Sequence, residues 1–311
     1  MFLLEPACKD YIWGGTLLAE RFGKGNGMSV VAESWELSTH PDGLSRLAGE
    51  EGSLRDYLRS EPAAGGAFVT ADGDLPILVK LIDARRPLSV QVHPDDAYAA
   101  RVGQRGKTEL WHVLDATPDA YLYLGVNRAV SREEFETRIQ NNTVEEVLKK
   151  VPVKAGESYF IPSGMLHAIG AGCLIYEVQQ SSNLTYRVYD YGRVGADGKP
   201  RQLHIQDALA VSRLMPVDTT PPGAGGDVIV SCPYFVLRDV RVSVGSVLCA
   251  PEDSFCHLLC VEGTAQAIQG DRRLSVSAGT SLFLGAGERL TLQGNGKFMA
   301  VSLSNTQKVS G

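Results

Sequence analysis

The chain has 311 residues, a formal net charge of −6 and a charged fraction of 21%. This length suits about two domains with a large core. The acidic balance and the lack of a lysine or arginine stripe argue against nucleic-acid binding. The 33 glycines favour a turn-rich β architecture. No apolar run reaches the length of a membrane span, so a membrane partner is not expected.

The N-terminus and the cysteines indicate a cytoplasmic protein. The start MFLLEPACKD does not resemble a signal peptide, because its apolar run stops at Glu5 and no basic segment precedes it. The six cysteines show no spacing typical of a disulfide framework. We therefore expect reduced thiols and a cytoplasmic location.

Short apolar runs flanked by turn-forming residues predict strands in the first two thirds of the chain. They cover residues 75–82, 120–124 and 173–180. Helices interrupt this pattern at 94–101 and at three capping boxes, which pair Ser53 with Asp56, Ser131 with Glu134, and Thr143 with Glu146. The last helix is expected to end on Lys149 and Lys150, where positive charge suits the helix dipole.

Composition changes to small residues, proline and glycine at 219–226, which predicts a linker. It would separate a first domain, 1–218, from a C-terminal domain, 227–311. Strands are predicted in the latter at 228–231, 234–242, 246–250, 256–263, 265–269, 281–284, 289–293 and 298–302. His257 has no histidine partner at metal-ligand spacing, so this domain is expected to be metal-free.

Two separated motifs suggest a metal site. Gln91 and His93 are two apart on an extended segment, so their side chains point to the same face. His167 follows a strand and a tight Pro/Gly turn, and Glu109 lies between the two motifs. An amide, two imidazoles and a carboxylate suit Zn²⁺ or another divalent ion.

Five strings in order carry a family resemblance: AESWELSTHP, PLSVQVHPDD, GKTELWHVLDA, IPSGMLHAIG and EVQQSSNLTYRVYDYGR. They resemble type I phosphomannose isomerase in its short bacterial form, a member of the cupin superfamily, over roughly Pro6 to Asp207. The resemblance implies a mainly β fold with two cupin (jelly-roll) β-barrel domains. The first, 1–218, would be the catalytic metal-binding domain and would carry short helical insertions. The resemblance also implies one Zn²⁺ per chain and interconversion of D-mannose 6-phosphate and D-fructose 6-phosphate through a cis-enediol.

The resemblance assigns catalytic roles to three more residues. Arg187 falls on the family's active-site arginine, and a permanently charged guanidinium can stabilise an oxyanion; a surface ion pair is the alternative. Glu177 is a candidate proton shuttle or partner of another active-site group, with a structural salt bridge as the alternative. If the segment is extended, Lys107 would face the cavity with Glu109 and could contact the substrate; a solvated loop lysine is the alternative.

Two further residues are candidate substrate contacts. Ser89 shares the strand face of Gln91 and His93 and could bind phosphate or a sugar hydroxyl. Trp13 is a candidate for lining the sugar site, although large aromatic side chains more often lie in the core. His112 should point to the opposite face from Glu109 and is not counted as a ligand.

Three classes of function are compatible with these motifs. Besides the isomerase, a cupin oxygenase with Fe(II) would use overlapping ligands, and a phosphosugar-binding cupin could keep the pocket without catalysis. The isomerase-type strings around Lys107 and Arg187 favour the first class. The expected partner is a small phosphosugar, and a homodimer is one candidate assembly.

Overall fold

The computed structural model describes residues 1–194, 198–243 and 245–303. Residues 304–311 of the predicted C-terminal domain therefore lie outside the described residues. The chain forms two compact units. The first comprises Met1–Tyr11, Thr16–Leu81 and Pro221–Gly311, and the second comprises Ile12–Gly15 and Ile82–Thr220.

The first unit is dominated by a nine-stranded antiparallel sheet. Its strands are β1 (Phe2–Glu5), β4 (Arg46–Leu47), β14 (Val228–Ser231), β15 (Val236–Val242), β16 (Ser246–Cys249), β17 (Cys256–Gln269), β18 (Arg272–Ser277), β19 (Ser281–Leu284) and β20 (Arg289–Ser302). Outside this sheet lie β2 (Ala7–Lys9), which pairs with β3 (Glu33–Leu37), and the helices α1 (Leu17–Phe22) and α2 (Leu54–Ser60).

The strands β17 and β20 are longer than predicted. The sequence suggested a break near Gly263, because glycine is a turn signal. In the structure β17 continues through Gly263, and its register against β20 shifts between Cys260 and Glu262. Gly263 has φ +80°, and an added Cβ would lie 2.1 Å from the Asn295 carbonyl oxygen. The glycine therefore permits an irregularity within a continuous strand.

The second unit contains a five-stranded antiparallel sheet in the order β13, β6, β11, β8, β9. Its strands are β6 (Val90–Val92), β8 (Tyr121–Val126), β9 (Leu148–Pro152), β11 (His167–Ile169) and β13 (Tyr186–Tyr189). A further ladder places β7 (Glu109–Ala116) between β10 (Ser158–Ile161) and β12 (Cys173–Gln180). The chain passes from one unit to the other within β5 (Ile77–Ala84).

Short helices separate the strands of the second unit: α3 (Asp96–Ala99), α4 (Arg132–Gln140) and α5 (Ile205–Val211). Its apolar core includes Val90 and Val92 of β6, Leu166 before β11 and Phe135 of α4. The mainly β architecture with helical insertions is thus as predicted. Among the described residues no helix is long and apolar enough to cross a membrane.

Helices form after Ser53 and Ser131 as predicted, but not after Thr143. Ser53 caps α2 in a reciprocal capping box, and Ser131 caps α4 by accepting from the Glu134 backbone N–H. The prediction of a helix from Thr143 to Lys150 was wrong. Only a 3₁₀ turn forms over Val144–Val147, and Lys149 and Lys150 belong to β9. Pairing of β9 with β8 satisfies this backbone instead, and the Lys150 ammonium lies 3.8 Å from the Tyr121 ring centroid.

The compact units do not follow one linear boundary. One passage between them, at Thr220 and Pro221, falls inside the predicted linker 219–226. Residues Thr16–Leu81 belong with the C-terminal segment, although the linear division placed them in the catalytic domain. Within the first unit β1 pairs with β19, which joins the two ends of the chain in one sheet. The division into a catalytic and a metal-free domain stays a prediction.

Candidate active site and metal centre

The five-stranded sheet aligns three candidate site residues across neighbouring strands. Gln91 of β6 lies opposite His167 of β11 on one side and opposite Arg187 of β13 on the other. Residues directly opposite each other in an antiparallel ladder project from the same face. Gln91, His167 and Arg187 therefore share one face of this sheet.

Three buried side chains converge beside this face. His93 follows β6, Glu109 begins β7, and His167 begins β11; one ligand atom from each lies within 4.8 Å of the others. The Nε2 atom of His93 is 3.7 Å from Glu109 Oε2, and the Nε2 atom of His167 is 3.3 Å from Glu109 Oε1. The predicted ligand histidines and carboxylate are thus brought together although they come from separate strands.

Backbone carbonyls set the tautomers of the two imidazoles. The Nδ1 atom of His167 lies 2.7 Å from the Met165 carbonyl oxygen, and that of His93 lies 3.0 Å from the Leu184 carbonyl oxygen. Since a carbonyl oxygen accepts, each Nδ1 carries the hydrogen and each Nε2 presents a lone pair towards Glu109. Such an outer hydrogen bond is the usual support of a metal-binding imidazole.

The environment of His167 suits a metal ligand. Burial lowers the pKa of this imidazole to about 3, so it is neutral at physiological pH. Its Nε2 atom is fully buried and has no hydrogen-bond partner in the described part of the chain. A buried polar atom without a hydrogen bond is costly. A cation at this position would satisfy it, so the donor set fits a divalent metal ion.

The turn before His167 connects the two ligand segments. The backbone N–H of Gly164 donates to the His93 carbonyl oxygen at 2.8 Å. Gly164 has φ +82°, and an added Cβ would lie 2.8 Å from the Val211 carbonyl oxygen. A residue with a side chain would be strained here for both reasons. The glycine of the motif is therefore required for the position of the histidine segments relative to each other.

Lys107 lies inside the candidate centre. Its ammonium nitrogen is 2.9 Å from Glu109 Oε2 and 3.0 Å from His93 Nε2. The side chain is buried, so the alternative of a solvated loop lysine is not what the structure shows. The backbone N–H of Lys107 donates to the Pro94 carbonyl oxygen at 3.0 Å, which closes the helical excursion between His93 and Glu109.

Glu177 lies on β12 opposite Trp111 of β7. Its Oε2 atom accepts a hydrogen bond from the Trp111 indole N–H at 2.8 Å. The Trp111 ring in turn meets the His167 ring edge-on, with centroids 5.3 Å apart. The carboxylate of Glu177 is thus connected to the metal-ligand cluster through Trp111. Sequence reasoning assigned no role to Trp111, although the residue stands in one of the quoted motifs.

Arg187 is half-buried, and hydrogen bonds hold both its guanidinium and its backbone. Its Nε donates to Ser89 Oγ at 3.3 Å, its Nη1 donates to the Gln202 carbonyl oxygen at 3.0 Å, and its backbone N–H donates to His204 Nδ1 at 3.1 Å. Burial, followed by the charge of Arg201, lowers the pKa of the guanidinium. The structure therefore places Ser89 against Arg187.

Trp13 and His112 are the remaining residues singled out from the sequence. Trp13 is 4% exposed, and its carbonyl oxygen accepts from the Arg86 backbone N–H. Its contact with sugar stays a prediction. His112 lies within 2.8 Å of Ser158 Oγ through its Nδ1 atom. It alternates with Glu109 and Trp111 on β7, so it projects from the opposite face, as expected.

Comparison with known proteins agrees with these geometric observations. Residues 1–122 match the catalytic domain of type I phosphomannose isomerase, and residues 227–303 match the cupin domain of mannose-6-phosphate isomerase. A probable mannose-6-phosphate isomerase of Bacillus subtilis is 36% identical, over 95% of this chain and 97% of that protein. The chain belongs to the mannose-6-phosphate isomerase family.

Other members of the family cover nearly the whole chain. A mannose-6-phosphate isomerase of Streptococcus mutans is 36% identical over 90% of this chain and 91% of that protein. A crystal structure of the mannose 6-phosphate isomerase from Bacillus subtilis superposes with a TM-score of 0.87 at 32% identity, covering 96% of this chain and 98% of that one. The predicted family and the cupin-type, mainly β fold are confirmed.

Proposed function

We propose that this chain interconverts D-mannose 6-phosphate and D-fructose 6-phosphate, with one zinc ion per chain held at the His93, Glu109 and His167 cluster. The observation that carries the proposal is this buried cluster, whose ligand atoms lie within 4.8 Å of one another in a member of the isomerase family. Two imidazoles and a carboxylate form a catalytic type of zinc ligand set that leaves a position for substrate.

The metal would be held by the Nε2 atoms of both histidines and by the Glu109 carboxylate. Gln91 would be a fourth ligand, because its side chain projects from the same sheet face as His167. It would bind more weakly than the other three, since its donor is an uncharged amide oxygen. When bound, the divalent ion supplies Lewis-acid polarisation of the sugar carbonyl and orients the reacting oxygens. The Nδ1–H groups stay bonded to backbone carbonyls and keep both rings oriented.

Isomerisation moves a proton between C1 and C2 of the open-chain sugar through a cis-enediol. In our proposal Arg187 stabilises the developing oxyanion, because a guanidinium keeps its charge and can donate two hydrogen bonds. Glu177 carries the proton, and its bond to the Trp111 indole fixes the carboxylate. Lys107 contacts the substrate oxygens, since its ammonium group already lies beside Glu109.

Ser89 and Trp13 are the proposed further contacts to the substrate. Ser89 is assigned to the phosphate or a sugar hydroxyl, supported by its position 3.3 Å from the Arg187 Nε atom. Trp13 is assigned to the sugar. The proposal also includes a catalytic domain at 1–218 and a metal-free domain at 227–311, a division supported by the cupin-domain match over residues 227–303. A homodimer and a cytoplasmic location stay predictions.

One assay tests the proposal against a cupin Fe(II) oxygenase and against a non-catalytic binding protein. Zinc-loaded protein should convert fructose 6-phosphate to mannose 6-phosphate without consuming oxygen. Removal of the metal by EDTA should abolish the conversion, and added zinc should restore it. Oxygen consumption, or tight binding of the sugar phosphate without turnover, would contradict the proposed activity.

A matched pair of histidine variants makes the assay specific for the cluster. His93→Gln should abolish conversion, because it removes a ligand. His112→Gln changes a similarly buried histidine on the opposite face of β7 and should retain conversion. If both variants lost conversion equally while circular dichroism showed both to be folded, the activity would not depend specifically on the proposed metal ligands.

A further inference from the structure

A strained turn follows β13, directly after the strand that carries Arg187. The backbone N–H of Arg193 donates to the Asp190 carbonyl oxygen at 3.0 Å. The two central residues, Tyr191 and Gly192, have φ values of 56° and 66°, as in a type I′ turn. Tyrosine rarely adopts this left-handed conformation, and such strain often lies at functional sites. The turn brings the Arg193 side chain back onto Asp190.

Asp190 binds two arginines with one buried carboxylate. Its Oδ1 atom accepts from Arg193 Nε at 3.1 Å, and its Oδ2 atom accepts from Arg201 Nε at 2.6 Å. Arg193 also donates to the Pro87 carbonyl oxygen at 2.6 Å. Burial raises the pKa of Asp190, but the hydrogen bonds from Arg201 and Arg193 outweigh burial and leave the pKa below its ordinary value. The carboxylate is therefore ionised at neutral pH.

The segment after Arg201 forms the support of Arg187. The residue next to Arg201 is Gln202, whose carbonyl oxygen accepts from Arg187 Nη1 at 3.0 Å. His204 exchanges two hydrogen bonds with the Arg187 backbone, at 3.1 Å through Nδ1 and at 2.8 Å through its own N–H. An arginine held at both backbone and guanidinium has few remaining conformations.

We propose that Asp190 is a positioning residue for Arg187. By binding Arg201, it holds the Gln202 carbonyl where the Arg187 guanidinium needs its acceptor. It also offsets the positive charges of Arg193 and Arg201, which act on Arg187 electrostatically. The inference rests on the proposed function, because that function gives Arg187 its role at the reacting oxygens. A preorganised donor loses much of its effect when its support is removed.

A double-mutant cycle tests the coupling. Asp190→Asn keeps the shape of the side chain and removes its charge. It should lower kcat by ~10-fold or more and change KM less, since the loss falls on the transition state. In the Arg187→Ala background the same substitution should cause little further loss, because the group that Asp190 orients is absent. An equal loss in both backgrounds, or an unchanged kcat in the single variant, would overturn the inference.

Glu134 offers a matched control in the same unit. Its carboxylate also binds two arginines, Arg128 and Arg138, but on the surface helix α4. Glu134→Gln should leave kcat unchanged. If Asp190→Asn does not fold, the cycle is repeated with Arg201→Lys, which keeps the charge and loses the planar donor group. Additive losses in that cycle would equally overturn the positioning role.

The cycle also separates this inference from the proposed function. A metal-loaded wild-type chain without isomerase activity would refute the function. The coupling would then be measured by calorimetric titration of fructose 6-phosphate into the wild type, the two single variants and the double variant. Non-additive binding losses would support the positioning of Arg187 by Asp190, and additive losses would overturn it.

Discussion

His167 in the second unit and His257 in the first are buried to the same extent, yet their surroundings differ. Burial lowers the pKa of each imidazole to about 3. His167 lies with His93 and Glu109 in one cluster, whereas His257 Nε2 bonds Ser281 Oγ at 2.8 Å. On β17 the cross-strand neighbours of His257 are Phe283 and Val301. A buried neutral histidine is therefore not by itself a metal site.

His167 and His257 differ in the side chains that neighbouring segments place beside each imidazole. In the second unit the residue after β6 and the first residues of β7 and β11 bring His93, Glu109 and His167 together. In the C-terminal part the corresponding turn, 279–287, lacks both the proline and the histidine of the catalytic motif. Among the described residues only the first cluster brings three ligand groups within 4.8 Å. Metal binding thus requires convergence of several ligands and not burial of one.

The largest expected effect distinguishes the two histidines directly. His167→Ala and His93→Ala should each lose bound metal and isomerase activity together, because a ligand is removed. His257→Ala should retain one metal per chain and full turnover. It should cost about 1–3 kcal/mol of unfolding free energy, because the Ser281 hydroxyl loses its buried partner. Elemental analysis, the isomerase assay and chemical unfolding measure these quantities.

Two outcomes would contradict this contrast between the cluster histidines and His257. Full turnover with normal metal content in either cluster variant would remove that residue from the metal centre. A second tightly held metal in the wild-type chain, lost in His257→Ala, would show a site in the C-terminal region that its described neighbours do not indicate.

Arg187 should have the next largest effect. Arg187→Ala should lower kcat by ~10² or more, the scale of one lost preorganised electrostatic donor. Steady-state kinetics with fructose 6-phosphate measure the change, and metal content should stay normal. A raised KM with an unchanged kcat would instead make Arg187 a group that binds substrate in the ground state.

Acid should destabilise the protein through His257. Its pKa is lowered by burial, and then by Lys24, from 6.5 to about 3 in the folded chain. Between these values only the unfolded state takes up the proton, so stability present above the unfolded pKa is lost as pH falls. The slope is about 1.4 kcal/mol per pH unit. Urea unfolding between pH 6.5 and pH 5 should therefore show about 2 kcal/mol more loss in wild type than in His257→Gln.

The comparison with His257→Gln cancels the acid effects that both proteins share. Identical pH slopes for the two proteins would show that His257 is as easily protonated in the folded state as in the unfolded one. The prediction that burial keeps His257 neutral in the folded protein would then be wrong.

Among the four proposed metal ligands, Gln91 should have the smallest effect on metal binding. Gln91→Ala should weaken metal binding by roughly tenfold, because an amide oxygen is a weaker donor than imidazole or carboxylate towards zinc. Competition with a chelator of known affinity measures this change. A loss as complete as that of His93→Ala would make Gln91 an essential ligand.

Several site positions could be read from residue spacing. Side chains alternate along any strand, so the two-residue period placed Gln91 and His93 on one face. The same alternation placed His112 and Glu109 on different faces of their strand. Glycine at position 164 could be expected in a tight turn, since it tolerates positive φ. The type and bounds of β14 and β19 also follow from local hydrophobic patterns.

Other features depended on partners distant in the chain. Nothing near Thr143 indicates that Lys150 pairs with Tyr123 of β8, because a strand's partner is not encoded in its own period. The indole of Trp111 reaches Glu177 only through the pairing of β7 with β12. Asp190 stands in a quoted motif, yet its link to Arg187 runs through Arg201 and Gln202.

The sequence by itself determined the chemical types and local faces of the candidate metal-binding side chains, because ligand chemistry and strand alternation are properties of neighbouring residues. Only the tertiary structure decided that the side chains of His93, Glu109 and His167 come within 4.8 Å of one another. It also decided how Arg187 is held. Both outcomes depend on strand pairings between distant segments, which bring their side chains within hydrogen-bond distance when the whole core forms.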